Sequence, residues 1–289
     1  YRKVNIMAIY LETNALRNLT NYDCDQHVYT SIFSIFELLS GINEEEFVVR
    51  QSCAKRIKKQ KLTIKGPMID KLFYSLIKEN GYNPFAYKMI NDTFRLLIKS
   101  KNYNEFSQYK LSVTNKKGQK ELINPICWLS CWDQQIAMIN KTISSSFENE
   151  DKAYIKSIYK EQGEKGLAEY FWQKYYDERI DQKRLNHAEP FIGTHEIEKC
   201  KAYVDQLFLK YNFKLFMTAQ ATIFAKSYFI NGNTSDKNNP CDLLHLLYLG
   251  ENDTLVSNDK IYQTIEKACE EFKLITINDE KSLSNLFGK

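Results

Sequence analysis

The sequence predicts an α/β protein with a large, mostly helical middle, and three observations lead there. Near each end a short apolar run without breakers closes on an acidic residue: Val4 to Leu11 leads into Glu12-Thr13-Asn14, and Leu255-Val256-Ser257 leads into Asn258-Asp259. Such runs read as buried strands whose polar carboxyl ends are where open α/β sheets place ligands. Between them, roughly Asn43 to Asp236, the chain is periodic in the helical sense, and its prolines (Pro67, Pro84, Pro125, Pro190) mark boundaries between helices. With 289 residues, 43% hydrophobic and 26% charged, the chain can bury a sizeable core as one large domain or a domain with an insertion.

After the first strand, a helical stretch runs through Leu19. Thr30 to Gly41 reads as a short helix with Ser31 as N-cap and Gly41 as its stop, and Glu37 is the only charge in that run. A lone carboxylate among Phe36, Leu38 and Leu39 is costly to bury unpaired, which points to a metal or cationic partner. Glu44 to Lys61 follows as a charged amphipathic helix. Met68 to Lys78 and Phe85 to Lys101 repeat the pattern, with Ile69, Leu72 and Phe73, then Met89, Ile90, Phe94 and Leu97, on one face. Pro125 to Ile143, Asp151 to Gln182 and Thr194 to Ile230 are each long enough for several turns, so about five to eight helices are expected here. A polar loop from Asn231 to Asn239 returns the chain to its core. Pro240 then suits a first helical position and places Asp242 in the first turn, where the helix dipole favours the ionised carboxylate. The expected organisation is a discontinuous core (1–42 and 237–289) around a helical region (43–236), part core helices and part inserted subdomain.

An acid opening one helix and another closing a strand suggest a carboxylate cluster, the donor set of hard divalent metals. The string Tyr10-Leu11-Glu12-Thr13-Asn14-Ala15-Leu16 resembles the opening strand and turn of PIN-domain nucleases, in which an Asp stands where this chain has Glu12. Ser31 with Glu37-Leu38 resembles that family's second motif, Asp242 with His245 the third, and Leu255-Val256-Ser257-Asn258-Asp259-Lys260 the fourth. Phe272 to Asn278 looks like its last strand. The resemblance covers about the first and last fifty residues, and the order of the pieces is more specific than any one of them.

The resemblance implies a parallel sheet with helices on both faces and an acidic pocket that takes Mg²⁺ or Mn²⁺. Carried over motif by motif, Glu12, Asp242 and Asp259 would hold the principal ion, with Glu37 nearer a second ion or its water. Asn14, Ser257 and Asn258 would orient those carboxylates through hydrogen bonds. Phosphodiester hydrolysis needs an activated water, a counter-charge for the transition state and help for the leaving oxygen, all within reach of such ions. Crowded like charges should leave at least one carboxylate with a raised pKa. Many small bacterial members of the family are toxin ribonucleases, which favours RNA over DNA as the polymer and an inhibitory protein as a second partner. A second class stays open: a non-catalytic PIN-like scaffold that binds RNA or a protein through its helical insertion, with Glu12 marking a degenerate pocket.

Charge and composition bound the rest. The net charge of +4 does not demand a nucleic-acid partner, but Lys55, Arg56, Lys58, Lys59 and Lys61 put five cations in seven residues. That run either neutralises phosphates or is a solvated helix face. The 19 tyrosines and 17 phenylalanines read mainly as core, with base stacking as the alternative. Seven scattered cysteines suit a reducing cytoplasm rather than a disulfide framework. Cys127 and Cys131 read as core thiols, since no partner spacing completes a zinc site. His187 and His195 lack a metal-protease partner, and no phosphate-cradling Gly-rich loop or nucleophile elbow supports an ATPase or serine hydrolase. His245 either orients a carboxylate, binds substrate or is packed and hydrogen-bonded. Each acid also has a plain alternative: Asp242 as a helix-terminus charge, Glu12 and Asp259 as turn residues, Glu37 as a salt-bridge partner. No run reaches the length of a membrane span, and no secretory leader is expected.

Overall fold

A computed structural model describes residues 8–18, 27–66, 85–114, 118–126, 150–174, 196–210, 212–232 and 239–277. Its centre is a five-stranded parallel sheet: β1 (Ile9–Leu11), β2 (Val28–Ser31), β3 (Thr63–Lys65), and, from the far end of the chain, β6 (Thr254–Val256) and β7 (Lys273–Ile275). The spatial order is β3-β2-β1-β6-β7. β1 is the hinge of this arrangement, with Ile9 beside both Val28 and Thr254. β1, β2 and β6 are buried along their length, as near-continuous apolar runs in a parallel sheet covered on both faces should be.

Helix α1 (Thr13–Arg17) joins β1 to β2, while α2 (Ile32–Leu39) and α3 (Glu44–Lys59) join β2 to β3. Local chemistry sets their ends. The Ser31 hydroxyl accepts the Ser34 N–H at 3.1 Å to start α2, and Gly41, at φ +64°, takes the left-handed turn that stops it. Asn43 Oδ1 accepts the Glu46 N–H at 2.9 Å to start α3, whose first turn is acidic and last turn basic, in the sense the helix dipole favours. On the other half, α10 (Lys260–Ala268) joins β6 to β7. Because parallel crossovers are right-handed and the two halves step away from β1 in opposite directions, α1–α3 and α10 fall on opposite faces.

The middle of the chain supplies α4 (Phe85–Lys99), α5 (Tyr103–Ser107), a hairpin of β4 (Leu111–Thr114) with β5 (Lys120–Ile123), α6 (Lys152–Trp172), α7 (Ile197–Lys210) and α8 (Phe213–Ala225). A π-helical turn (Lys226–Ile230) extends α8. α4 packs on α2 and α3, while α6, α8 and α10 pack on one another. α6 bends at Gly163, whose φ of +64° a residue with a side chain rarely adopts. One continuous apolar core joins both halves, from Ile9, Phe33 and Leu97 to Phe171, Phe213 and Tyr262.

This middle region departs from its helical periodicity in three places. It lends the sheet its edge strand β3, it contains the β4–β5 hairpin, and the stretch from Thr194 to Ile230 is broken at Asn212 into separate helices. The helices expected at Met68–Lys78 and over most of Pro125–Ile143 lie outside the described residues, as do Pro67, Pro84, Pro190, Cys127, Cys131, His187 and His195. Among the described residues, no helix is long and apolar enough to cross a membrane.

Candidate carboxylate site

The strand order reverses between β1 and β6, and the crevice beyond the carboxyl ends of those two strands is where an open α/β sheet binds its ligands. Glu12 follows β1 directly, and Asp259 follows β6 after a short turn. Two helices complete the group: Glu37 lies in α2, and Asp242 in the first turn of α9 (Asn239–Leu244). Asp242 feels the charges of the other three acids, and Glu12 those of Asp259 and Glu37, so four carboxylates from both ends of the chain share one electrostatic environment.

Each acid is held differently. Glu12, only 2% exposed, caps α1: Oε2 accepts the Asn14 N–H at 2.9 Å and Oε1 the Ala15 N–H at 3.3 Å. Burial nevertheless pushes its carboxyl up to about 7, and Asp259 and Glu37 add to the rise. Asp242 is pushed up to about 8 by burial, then by Glu37 and Asp259. Its own helix is pinned from behind by Tyr262, whose hydroxyl donates to the Asp242 carbonyl at 2.6 Å. Asp259 is raised chiefly by burial, against a 2.7 Å hydrogen bond donated by Asn14 Nδ2. Burial would raise Glu37 as well, but His245, Thr13 and Arg17 together bring it below the usual carboxylate range.

Glu37 is anchored by side chains rather than by backbone. His245 Nε2 lies 2.8 Å from Glu37 Oε2, and the Thr13 hydroxyl donates to the same oxygen. His245 follows α9 in a 3₁₀ turn (His245–Tyr248) and is 1% exposed, with Nδ1 at 2.6 Å from the Tyr10 hydroxyl. Burial disfavours the charged ring, yet Tyr10, Glu37 and Glu12 carry its pKa well above the ordinary histidine value.

The expected supporting residues divide. Asn14 bonds directly to Asp259. Ser257 Oγ accepts the Asp259 backbone N–H at 3.0 Å, shaping the turn, and Asn258 Oδ1 accepts the Ile277 N–H at 2.8 Å, tying the loop to the chain beyond β7. The basic run ends α3 and therefore stands at the amino end of β3, whereas the acids stand at the carboxyl ends. Lys55, Lys58, Lys59 and Lys61 are exposed there, and Arg56 is half-buried with its guanidinium 3.5 Å from the Arg17 carbonyl.

Sequence patterns gave Tyr10, Thr13 and Arg17 no role. Tyr10 and Thr13 carry one faint signal: both are hydroxyl-bearing and lie within two residues of the first acid. Arg17, one helical turn beyond Thr13, is the guanidinium whose charge reaches both Glu37 and Asp259.

The donor set is all oxygen and its carboxylates are short of positive charge, which fits a hard divalent cation. Among the described residues, no three His, Cys, Asp or Glu side chains converge at metal-binding geometry, so the acids form a cluster rather than a finished coordination sphere. An open groove of about 1090 Å³ lies elsewhere, at the amino ends of β6 and β7, lined by Lys65, Trp172, Lys214, Tyr248 and Gly250 among others. It contains none of the four acids, and the chemistry singles out the carboxylate crevice despite the groove's size. No protein-family model matches the chain, and neither a curated protein nor a solved structure shows significant similarity to it.

Proposed function

We propose that this chain is a metal-dependent nuclease with a PIN-like core, hydrolysing phosphodiester bonds in single-stranded RNA. The observation that carries the reading is the set of four carboxylates at the reversal of strand order, two of them pushed up to about 7 and 8 chiefly by burial, with Glu37 and Asp259 adding to both. A folded chain keeps such a costly group when a ligand repays it, and a site of this kind is a functional candidate on physical grounds. Bound Mg²⁺ or Mn²⁺ would supply an activated water, a counter-charge and leaving-group assistance. Glu12, Asp242 and Asp259 hold the principal ion in this reading. Glu37, kept ionised by His245, would lie nearer a second ion or its water, and Asn14 would fix the angle of Asp259. The expected products are a 5′-phosphate and a 3′-hydroxyl.

The test is cleavage of a panel of single-stranded RNA and DNA with Mn²⁺, Mg²⁺ or EDTA, comparing the wild type with Asp242→Asn. Metal-dependent cutting of RNA that disappears in the variant is the expected result. Recovery of 2′,3′-cyclic phosphate ends would overturn the mechanism.

One observation favours a second reading. Both oxygens of Glu12 are engaged by backbone N–H groups of its own helix, while among the described residues no three acids converge at metal-binding geometry. A degenerate pocket on a scaffold that binds RNA or a protein would look like this. Clean protein that neither cuts nor binds Mn²⁺ would select it.

A further inference from the structure

His245 and Tyr10 belong to a buried chain of hydrogen bonds that no motif required. Ser31 Oγ receives the Ser34 N–H as the cap of α2, so its own proton is free to go to the Tyr10 oxygen 2.8 Å away. Tyr10 can then donate to His245 Nδ1 at 2.6 Å, which leaves the Nε2 proton on the side of Glu37, 2.8 Å distant. A doubly protonated ring would reverse the Tyr10 bond and leave the Nε2–H to Glu37 unchanged. Tyr10 is fully buried, and the Phe33 ring packs 4.9 Å from the imidazole, so the ring cannot swing without opening the core. Every hydrogen bond that reaches the Glu37 carboxylate from the described residues arrives at Oε2, from His245 and from Thr13. Its side chain is nevertheless 20% exposed.

We propose that His245 is a positioning residue: braced by Tyr10, it holds Glu37 by Oε2 so that Oε1 alone is presented to the crevice as a one-oxygen ligand. The chain of bonds joins β1 and α2 to the 3₁₀ turn, more than 200 residues further along the sequence, at an acid carried within a helix. This inference rests on the metal-binding reading for its purpose, and on the hydrogen-bonded geometry for its existence. Hydrogen-bonded groups behind a metal ligand set its orientation, and their loss weakens metal affinity by roughly 10- to 100-fold.

The experiment is Mn²⁺ titration by calorimetry of the wild type, His245→Leu, His245→Gln and Tyr10→Phe, with thermal melts to establish folding. Gln can place its amide nitrogen near the position of Nε2, whereas Leu cannot donate at all. The expected result is a loss of roughly 10- to 100-fold in Mn²⁺ affinity for His245→Leu, substantial recovery in His245→Gln, and an intermediate loss in Tyr10→Phe. Equal, measurable affinity in all four proteins would overturn the proposal, as would equal losses in the Leu and Gln variants. Where the Leu variant does not fold, Tyr10→Phe, which keeps the ring packing, decides. A metal-independent readout separates this idea from the nuclease reading: the imidazole nitrogen resonances of His245 in wild type and Glu37→Gln. A protected Nε2 proton whose signal shifts in Glu37→Gln supports the positioning role even where Mn²⁺ does not bind, and an unshifted, rapidly exchanging one overturns it.

Discussion

Asp242 shows how a single residue can be costly to the fold and useful to the site. Its carboxyl titrates near 3.8 in an unfolded chain and is pushed up to about 8 in the folded one. Between those values the folded protein keeps a proton that the unfolded protein has lost, so stability falls as pH rises through that window. Glu12, moved from 4.5 up to about 7, contributes with the same sign. Glu37 works in the opposite sense, because its lowered pKa gives stability that is complete above 4.5 and lost only at more acidic pH. In EDTA the wild type should therefore be less stable to urea at pH 8 than at pH 5, and Asp242→Asn should flatten that difference. An equal slope in the variant would remove Asp242 from the account. The four acids themselves were legible in the sequence, since a lone charge in an apolar run or at a strand end is visible there. The role of His245 was only one of three open readings, because it depends on Tyr10, 235 residues away. Asn258 carries a bond that its place beside an acid does not announce: its amide oxygen accepts the Ile277 N–H beyond β7.

At the scale of elements, α2 must be held firmly because it carries Glu37, and α3 does this through Arg50. That guanidinium is buried and donates from Nη1 to the carbonyls of Leu38 at 3.0 Å and Ser40 at 2.5 Å, with a longer contact to Glu37 at 3.4 Å, while Nη2 pairs with Glu46. These carbonyls end α2 and have no partner within their own helix. Arg50→Leu should cost about 1–3 kcal/mol in urea unfolding, and Arg50→Lys should recover only part of it, because an ammonium lacks the planar fork. A neutral Arg50→Leu would show that water satisfies these carbonyls and that the clamp is incidental. The same pair of helices shows what a sequence reveals about elements. Caps and amphipathic faces announced α2, α3 and α4 to within a residue or two, since both signals are local. β3 was hidden because three residues, Thr63-Ile64-Lys65, at a partly exposed sheet edge are too few to display alternation. The break at Asn212 was hidden because apolar periodicity continues across it.

The whole molecule is organised around a long-range closure. β1 pairs with β6 across 245 residues, from Ile9 to Thr254, and the four acids come from both sides of that closure. A cation held by Glu12 from the start of the chain and by Asp242 and Asp259 from its end would bind the folded state and find no comparable site in the unfolded one. Such a ligand stabilises by mass action, about 2.7 kcal/mol at a free concentration one hundred times its Kd. It must displace the protons on Asp242 and Glu12, so the gain should be larger at pH 8, where Glu12 is largely ionised and Asp242 is near its midpoint, than at pH 5, where both are protonated and metal competes with protons. Melting temperature should therefore rise with Mn²⁺ in the wild type, more steeply at pH 8, and EDTA should abolish the rise. Asp259→Asn should remove most of the response without unfolding the apo protein, because Asn14 can still hydrogen-bond to the amide oxygen that replaces the carboxylate. A melting temperature indifferent to Mn²⁺ at both pH values would mean that the clustered acids close the fold without a metal, and the scaffold reading would then account for them better than the nuclease one.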